Sequence, residues 1–193
     1  MSSGRKRNKA NWGERAVIVG IDLSLRRETY LCIYHWGGRK FIFRKAMSND
    51  DIIQYSIAKS KRYRIIVVID APLSVEKKYR DLDRLVTMIG GKVLPVSFPS
   101  IRELAKRGIE ISKVMKKLRK DAIVVETHPR SAARAMGFHD AREMAEKILT
   151  IKLSKDYADA AACCIVGIML LFGKVIEIVS SDGKDVFVLP VLL

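Results

Sequence analysis

The chain alternates short, wholly apolar runs with longer segments in which apolar residues recur every three or four positions. Three of the apolar runs end on an acidic residue, and they are Ala16–Asp22, Arg64–Asp70 and Asp121–Glu126. Short runs rich in β-branched residues are typical of buried strands, whereas the longer periodic segments are typical of helices. The pattern therefore predicts one α/β domain over residues 16–193, in which strands alternate with helices.

The other segments complete this prediction. Glu28–His35 and Arg39–Lys45 flank a Gly-Gly pair, which is typical of a tight turn, so these two strands are expected to be antiparallel. Further strands are predicted at Lys92–Val96, Lys174–Val179 and Val186–Leu193. The predicted helices are Ser48–Lys61, Glu76–Ile89, Pro99–Lys120 with Gly108 as a candidate break, Pro129–Met136, Ala141–Leu149 and Lys155–Phe172.

The balance of charges indicates the class of partner. The 193 residues include 36 Lys or Arg and 21 Asp or Glu, which gives a formal net charge of +15. With 49% hydrophobic residues, 12 Gly and 3 Cys, the chain is neither disordered, collagenous nor a disulfide scaffold. A strongly basic globular domain favours a polyanionic partner such as nucleic acid. Residues 1–15 are polar and basic, and we expect a flexible, solubilising tail there.

Composition also bears on the compartment. The first 15 residues lack the apolar centre of a signal peptide, and the longest apolar run, Ala160–Phe172, is too short to span a membrane. Cys32 and the adjacent pair Cys163 and Cys164 are expected to be buried thiols of a reducing compartment. We therefore predict a cytoplasmic protein with no membrane partner. Only four residues carry side-chain amides, which suggests a heat-adapted protein.

The acidic strand ends carry the candidate chemistry. If the strands ending in Asp22, Asp70 and Glu126 are parallel, their carboxylates lie along one edge of the sheet, where open α/β sheets bind ligands. Asp156 and Asp159 share one face of an otherwise apolar helix. Each acid alone is more simply explained as a turn or cap residue. Together, a group of carboxylates needs a compensating cation or basic side chain, and oxygen ligands suit Mg²⁺ or Mn²⁺.

These motifs, in this order, resemble the ribonuclease-H-like superfamily. The Asp156-x-x-Asp159-Ala pattern is similar to the Holliday-junction resolvase branch, and the whole set resembles a predicted-nuclease group called domain of unknown function 429. The resemblance covers residues 17–172 and rests on Gly20-Ile-Asp22, Ile69-Asp70-Ala-Pro-Leu73, Arg80-Asp-Leu-Asp83-Arg84, the Pro99-Ser100-Ile-Arg102 to Arg107-Gly108 stretch, Glu126-Thr-His-Pro129 and the Asp156–Asp159 helix.

The resemblance implies a central sheet of five strands, three antiparallel and two more parallel to the first, flanked by helices. It also implies that Asp22, Asp70, Asp156 and Asp159 bind the metal. Two positions depart from the pattern. Asp70 stands where resolvases carry Glu, and Glu126, which we expect to be an auxiliary catalytic residue, belongs to the motif of the smaller group.

Basic residues near the acids are candidates for holding phosphates. Arg130 and Arg134 are four residues apart after the Glu126 strand, and Arg102 and Lys106 form a second such pair. The alternative is a solvated helix face, which explains the run Lys113–Lys120 equally well, whereas Arg130, in the first turn of a helix near the proposed edge, is the stronger candidate. His128 suits a general base, a metal ligand or a structural hydrogen-bonding residue.

The leading hypothesis is a metal-dependent nuclease acting on DNA or RNA. The alternative is a nucleic-acid-binding module of the same fold with weak or lost catalysis. An actin-like kinase would need a second lobe and glycine-rich loops, which this sequence lacks. A homodimer is left open.

Overall fold

The structure is a computed structural model that describes residues 16–26, 28–57, 63–75 and 80–191. The predicted basic tail, residues 1–15, lies outside the described residues. So do the predicted end of the first helix at Lys61 and the predicted start of the second at Glu76.

The described chain contains seven strands and six α-helices, and each lies at a segment for which the hydrophobic pattern predicts the same type of element. The strands are β1 (Ala16–Asp22), β2 (Thr29–His35), β3 (Lys40–Ala46), β4 (Arg64–Ile69), β5 (Ile123–Glu126), β6 (Val175–Val179) and β7 (Val186–Pro190). The helices are α1 (Asn49–Ile57), α2 (Asp81–Met88), α3 (Pro99–Leu118), α4 (Pro129–Ala135), α5 (Ala141–Leu149) and α6 (Lys155–Leu171). A 3₁₀ turn, Trp36–Gly38, joins β2 to β3.

All seven strands form one mixed sheet in the order β3-β2-β1-β4-β5-β7-β6. The first three are antiparallel neighbours, and β4 and β5 run parallel to β1, as expected. The prediction of five strands is wrong, because β7 pairs in parallel with β5 and β6 pairs antiparallel with β7. This terminal hairpin joins the sheet because Ile178, Phe187 and Leu189 bury their side chains with those of α2.

Two further local predictions are wrong. Lys92–Val96 forms no strand. Its first residue is held by a side chain instead, because the Ser131 hydroxyl accepts from Lys92 N–H (2.9 Å) and donates to Lys92 C=O (3.0 Å). Helix α3 also continues through Gly108 without a break. A Cβ at Gly108 would lie 3.2 Å from the carbonyl of Pro72, so glycine lets α3 approach the loop after β4.

The two faces of the sheet bury separate cores. Alternate side chains of β1 point in opposite directions, so Val17, Val19 and Ile21 pack with α1 and α3. Ile18 lies on the other face, which α4, α5 and α6 cover. The three cysteines are buried free thiols, as predicted. Within the described ranges, none of the helices has the length and apolarity needed to cross a bilayer.

Helix α6 lies unusually close to the sheet, and glycine makes this approach possible. A Cβ added to Gly20 of β1 would lie 2.2 Å from both the carbonyl oxygen of Ala160 and the amide nitrogen of Cys164. One added to Gly167 would lie 2.4 Å from Ile18. Helix backbone therefore contacts strand backbone across β1, and this contact sets where the N-terminal half of α6 lies.

Candidate metal centre and basic cleft

Asp22 and Asp70 lie side by side at the carboxyl edge of the sheet. The parallel strands β1 and β4 pair Gly20 with Val68 and Ile21 with Ile69, so the two aspartates come next in register. The amide of Asp70 donates to the carbonyl of Ile21 at 2.9 Å, which continues the ladder to this point. Because side chains alternate along a strand, both aspartates belong to the face covered by α6.

Helix α6 adds the third carboxylate. Asp159 precedes Ala160, whose carbonyl oxygen packs against Gly20, so it lies beside the end of β1. One ligand oxygen from each of Asp22, Asp70 and Asp159 lies within 4.8 Å of the other two, and all three residues are partly exposed. Among the described residues, these three aspartates are the one group of Asp, Glu, His or Cys side chains whose ligand atoms lie close enough together to hold a metal ion.

The electrostatics of this group favour a cation. The pKa of Asp70 is raised well above its usual value of 3.8, mainly by burial and further by the negative charges of Asp22, Asp159 and Glu126. Burial and the same cluster of aspartates raise the pKa of the Cys163 thiol, so it stays protonated at neutral pH. The donors available at neutral pH are therefore carboxylate oxygens, the ligands that Mg²⁺ and Mn²⁺ prefer. The residues fit such an ion.

Glu126 lies outside this group because of its register. It pairs with Ile69 and not with Asp70, so its side chain leaves the sheet on the face opposite the aspartates. There both of its oxygens accept hydrogen bonds from Arg80, at 2.8 and 2.9 Å, and one also accepts from the amide of Leu73.

The Arg80–Glu126 pair is a buried structural element that the sequence did not reveal. Arg80 also binds Asp83 in the first turn of α2, and its side chain is 3% exposed. Burial alone would lower the pKa of Arg80, but the hydrogen bonds and charges of Glu126 and Asp83 raise it. The pair joins the end of β5, the start of α2 and, through Leu73, the loop that follows Asp70. Its effect is to hold that loop in place.

Asp156 is also separate from the group. It is exposed and lies in the first turn of α6, before Asp159. Desolvation of the Tyr30 phenol raises the pKa of Tyr30, and the negative charge of Asp156 raises it further. Three residues of helix advance the chain by about 4.5 Å, which carries Asp156 away from the strand ends. The structure thus brings together three of the five predicted acids.

An open cleft of about 520 Å³ reaches the carboxylates. Its lining includes Asp70, Asp159 and the α5 cap Asp140, together with three exposed basic side chains, Arg130, Arg142 and Lys155. Arg130 was expected near this edge. Arg142 and Lys155 could not be identified from the sequence, because α5 and the start of α6 reach the cleft only through tertiary packing. A basic cleft beside a carboxylate cluster can hold a phosphate against it.

The other predicted basic residues do not line this cleft. Arg134 is exposed on α4, Arg102 is exposed on α3, and Lys106 forms an exposed ion pair with Glu103 at 2.6 Å. Their role in substrate binding stays a prediction. Arg107 on α3, which the sequence motif contains without indicating a role, is structural: its guanidinium donates to Asn49 (2.7 Å) and to the carbonyl of Ser24, so it holds the loop after Asp22.

His128 lies at the start of α4 and lines the cleft. Its Nδ1 is the N-cap acceptor for Ser131 N–H, at 3.4 Å, and lies 3.1 Å from the Ser131 hydroxyl. Burial, followed by the positive charges of Arg130 and Arg134, lowers the pKa of His128. The residue is therefore a neutral helix cap at pH 7, in agreement with the structural interpretation of this position.

Comparison with known proteins supports the fold. The structure of T. thermophilus RuvC in complex with a Holliday junction substrate matches with a TM-score of 0.50 and 12% sequence identity, over 81% of this chain and 96% of that chain. No family model matches the sequence, and a search of curated proteins gave no match. The resemblance to domain of unknown function 429 therefore stays a prediction. The chain has a mixed α/β fold like that of RuvC, and its place in the ribonuclease-H-like superfamily stays a prediction.

Proposed function

We propose that this protein is a metal-dependent nuclease that hydrolyses phosphodiester bonds of nucleic acid. The observation that supports this best is the convergence of Asp22, Asp70 and Asp159 at the end of a basic cleft. Mg²⁺ or Mn²⁺ bound by these carboxylates would supply an activated water and stabilise the leaving oxygen.

The chain's own residues account for substrate binding. Arg130, Arg142 and Lys155 hold the phosphates of the strand beside the carboxylates, and their charges offset repulsion between the substrate and the acidic cluster. The buried Arg80–Glu126 pair keeps the loop after Asp70 in position. Asp156 lies one turn from the cluster and is an accessory acid in this proposal, with Glu126 as a structural residue.

The RuvC structure supports nucleic acid as the substrate class, because that protein was solved with a Holliday junction. Branched DNA is therefore the first substrate to test, followed by single-stranded, duplex and hybrid substrates. We expect cleavage that depends on Mg²⁺ or Mn²⁺, and loss of at least about 100-fold in rate for Asp22→Asn and Asp159→Asn.

The matched control is Asp50→Asn, which removes an exposed carboxylate in the first turn of α1. It should leave cleavage unchanged. Absence of cleavage on every substrate, or equal rates for the wild type and both cluster variants, would contradict the proposal.

A nucleic-acid-binding module without turnover is the second candidate, favoured by the placement of Glu126 and Asp156 outside the cluster. It predicts binding that weakens steeply with salt and no cleavage. Calorimetry separates the two, because Mn²⁺ binding that Asp22→Asn abolishes and Asp50→Asn preserves favours the nuclease.

A further inference from the structure

A second, smaller pocket lies beside the basic cleft and differs from it in chemistry. The two share Asp70 and His128 in their linings. Its volume is about 160 Å³, and its walls are mostly apolar side chains: Leu23, Val93, Leu94, Ile101, Leu104 and Phe187. The buried, mutually paired Arg80 and Glu126 also line it. A site for a drug-sized molecule usually has a volume of roughly 300–1,000 Å³. This pocket therefore has room for a single ring system and no more.

The position of the pocket selects its occupant. A phosphate held by the basic cleft against Asp70 and Asp159 carries a nucleoside on either side, within reach of the neighbouring pocket. The pocket disfavours a second phosphate, since its guanidinium, Arg80, is already paired with Glu126 and Asp83 and burying a further unpaired charge is costly. Its apolar walls accept the flat, weakly polar face of a nucleobase, which stacks on apolar and aromatic side chains regardless of sequence.

Polar groups at the boundary can bind the edge of such a base. Because Nδ1 of His128 accepts from Ser131, its other ring nitrogen, Nε2, carries the proton of the neutral ring and is a donor. The hydroxyl of Thr127 already donates to the carbonyl of Val188 at 2.7 Å, so its oxygen can act only as an acceptor. Arg80 and Glu126 also line the pocket and bind each other, and the Arg80 Nε, which has no hydrogen-bond partner among the described residues, is a second potential donor for a bound ring.

From these observations we infer that the pocket binds an unpaired nucleobase next to the scissile phosphate. This inference rests on the proposed function and deepens it by naming the substrate. A base inside a duplex is stacked and paired, so it must leave the helix to enter the pocket, and this is easiest where the strand is already unpaired. The substrate is therefore single-stranded or locally unpaired at the cleavage site.

The experiment uses DNA with 2-aminopurine at one position, as a single strand, in a duplex and in a duplex where that base is bulged. Binding is measured by anisotropy and by 2-aminopurine fluorescence in chelator, so that cleavage does not occur. The wild-type protein should bind the single strand and the bulge at least fivefold more tightly than the plain duplex. An abasic site at that position should remove the advantage.

Leu94→Ser and Ile101→Ser test the pocket, and Leu118→Ser is the matched control. Leu94 is 57% exposed and Leu118, at the end of α3, is 52% exposed, so the two substitutions remove similar surface and leave the folded core alone. We expect both pocket variants to lose the fluorescence change and the preference for unpaired DNA. The control should retain both.

Two results are kept apart by this design. Equal binding of duplex and bulged DNA, or equal behaviour of Leu94→Ser and Leu118→Ser, would overturn the inference even if metal-dependent cleavage occurs. A pocket-dependent fluorescence change without cleavage of any substrate would support the inference and count against the proposed nuclease.

Discussion

Gly20→Ala is a test of how backbone packing places the metal site. The new Cβ would lie 2.2 Å from the carbonyl oxygen of Ala160 and from the amide nitrogen of Cys164. Both are backbone atoms of α6, so no side-chain rotation can relieve the clash. Ordinary van der Waals contact begins near 3.4 Å. Helix α6 must therefore retreat from β1 by about 1 Å.

This displacement has a cost in stability and a larger cost in activity. Overpacking of a core typically costs about 1–3 kcal/mol, which the protein should survive as a folded chain. Asp159 precedes the displaced residue Ala160 and moves with the helix, away from Asp22. Misplacement by about 1 Å of a group that orients reacting atoms reduces a rate by roughly 100-fold. Activity should therefore fall much more than stability.

Urea unfolding, Mn²⁺ calorimetry and the rate on the best substrate measure these effects together. Gly38→Ala is the matched control, because a Cβ there meets nothing within 4 Å. It should leave affinity and rate unchanged and alter stability by less than about 1 kcal/mol. If Gly20→Ala keeps wild-type Mn²⁺ affinity and rate, close packing of α6 on β1 does not position the site, and the reasoning fails.

Three further predictions concern the other charged groups and the composition. Glu126→Gln should lower the free energy of unfolding by about 3–5 kcal/mol, because it leaves Arg80 buried with part of its compensation removed, whereas the exposed Glu103→Gln should cost less than about 1 kcal/mol. Urea midpoints check this, and a loss as small as that of Glu103→Gln would contradict a structural role. Because the pKa of Asp70 is raised in the folded state, protonated Asp70 stabilises the fold. This stabilisation is complete at pH values below 3.8, the usual pKa of an aspartate, and is lost as the pH rises through the folded-state pKa. The melting midpoint of the metal-free wild type should therefore fall with rising pH relative to Asp70→Asn, and Mn²⁺ should reverse the fall; parallel curves for the two proteins would refute this. Finally, the scarcity of side-chain amides predicts a melting midpoint above the usual mesophilic range of about 45–65 °C, which a calorimetric scan would test.

Much of the architecture could be predicted from local pattern alone. Apolar runs and periodic segments placed the strands and helices of the described chain within a few residues, because side-chain burial repeats every two residues in a strand and every three to four in a helix. Lys92–Val96 and the break at Gly108 were exceptions; at Lys92, the backbone N–H and C=O bind the side chain of Ser131, which lies 39 residues away.

The candidate site, too, could be predicted only in part from the sequence. Acids at the ends of three apolar runs and on one apolar helix are visible in the sequence, and they contain the three aspartates that converge. The register of β5 against β4 is not visible. Glu126 pairs with Ile69, one residue before Asp70 in the β4–β5 register. Its side chain therefore leaves the sheet on the face opposite Asp70, where it binds Arg80.

The order of the elements and the acids at the ends of strands are visible in the sequence, and its +15 charge favours a polyanionic partner. Which carboxylates meet, how closely α6 approaches β1, and the presence of Arg142 and Lys155 beside Arg130 depend on the tertiary structure. The reason is physical: local propensity depends on neighbours along the chain, whereas register and helix docking depend on contacts between residues far apart in sequence.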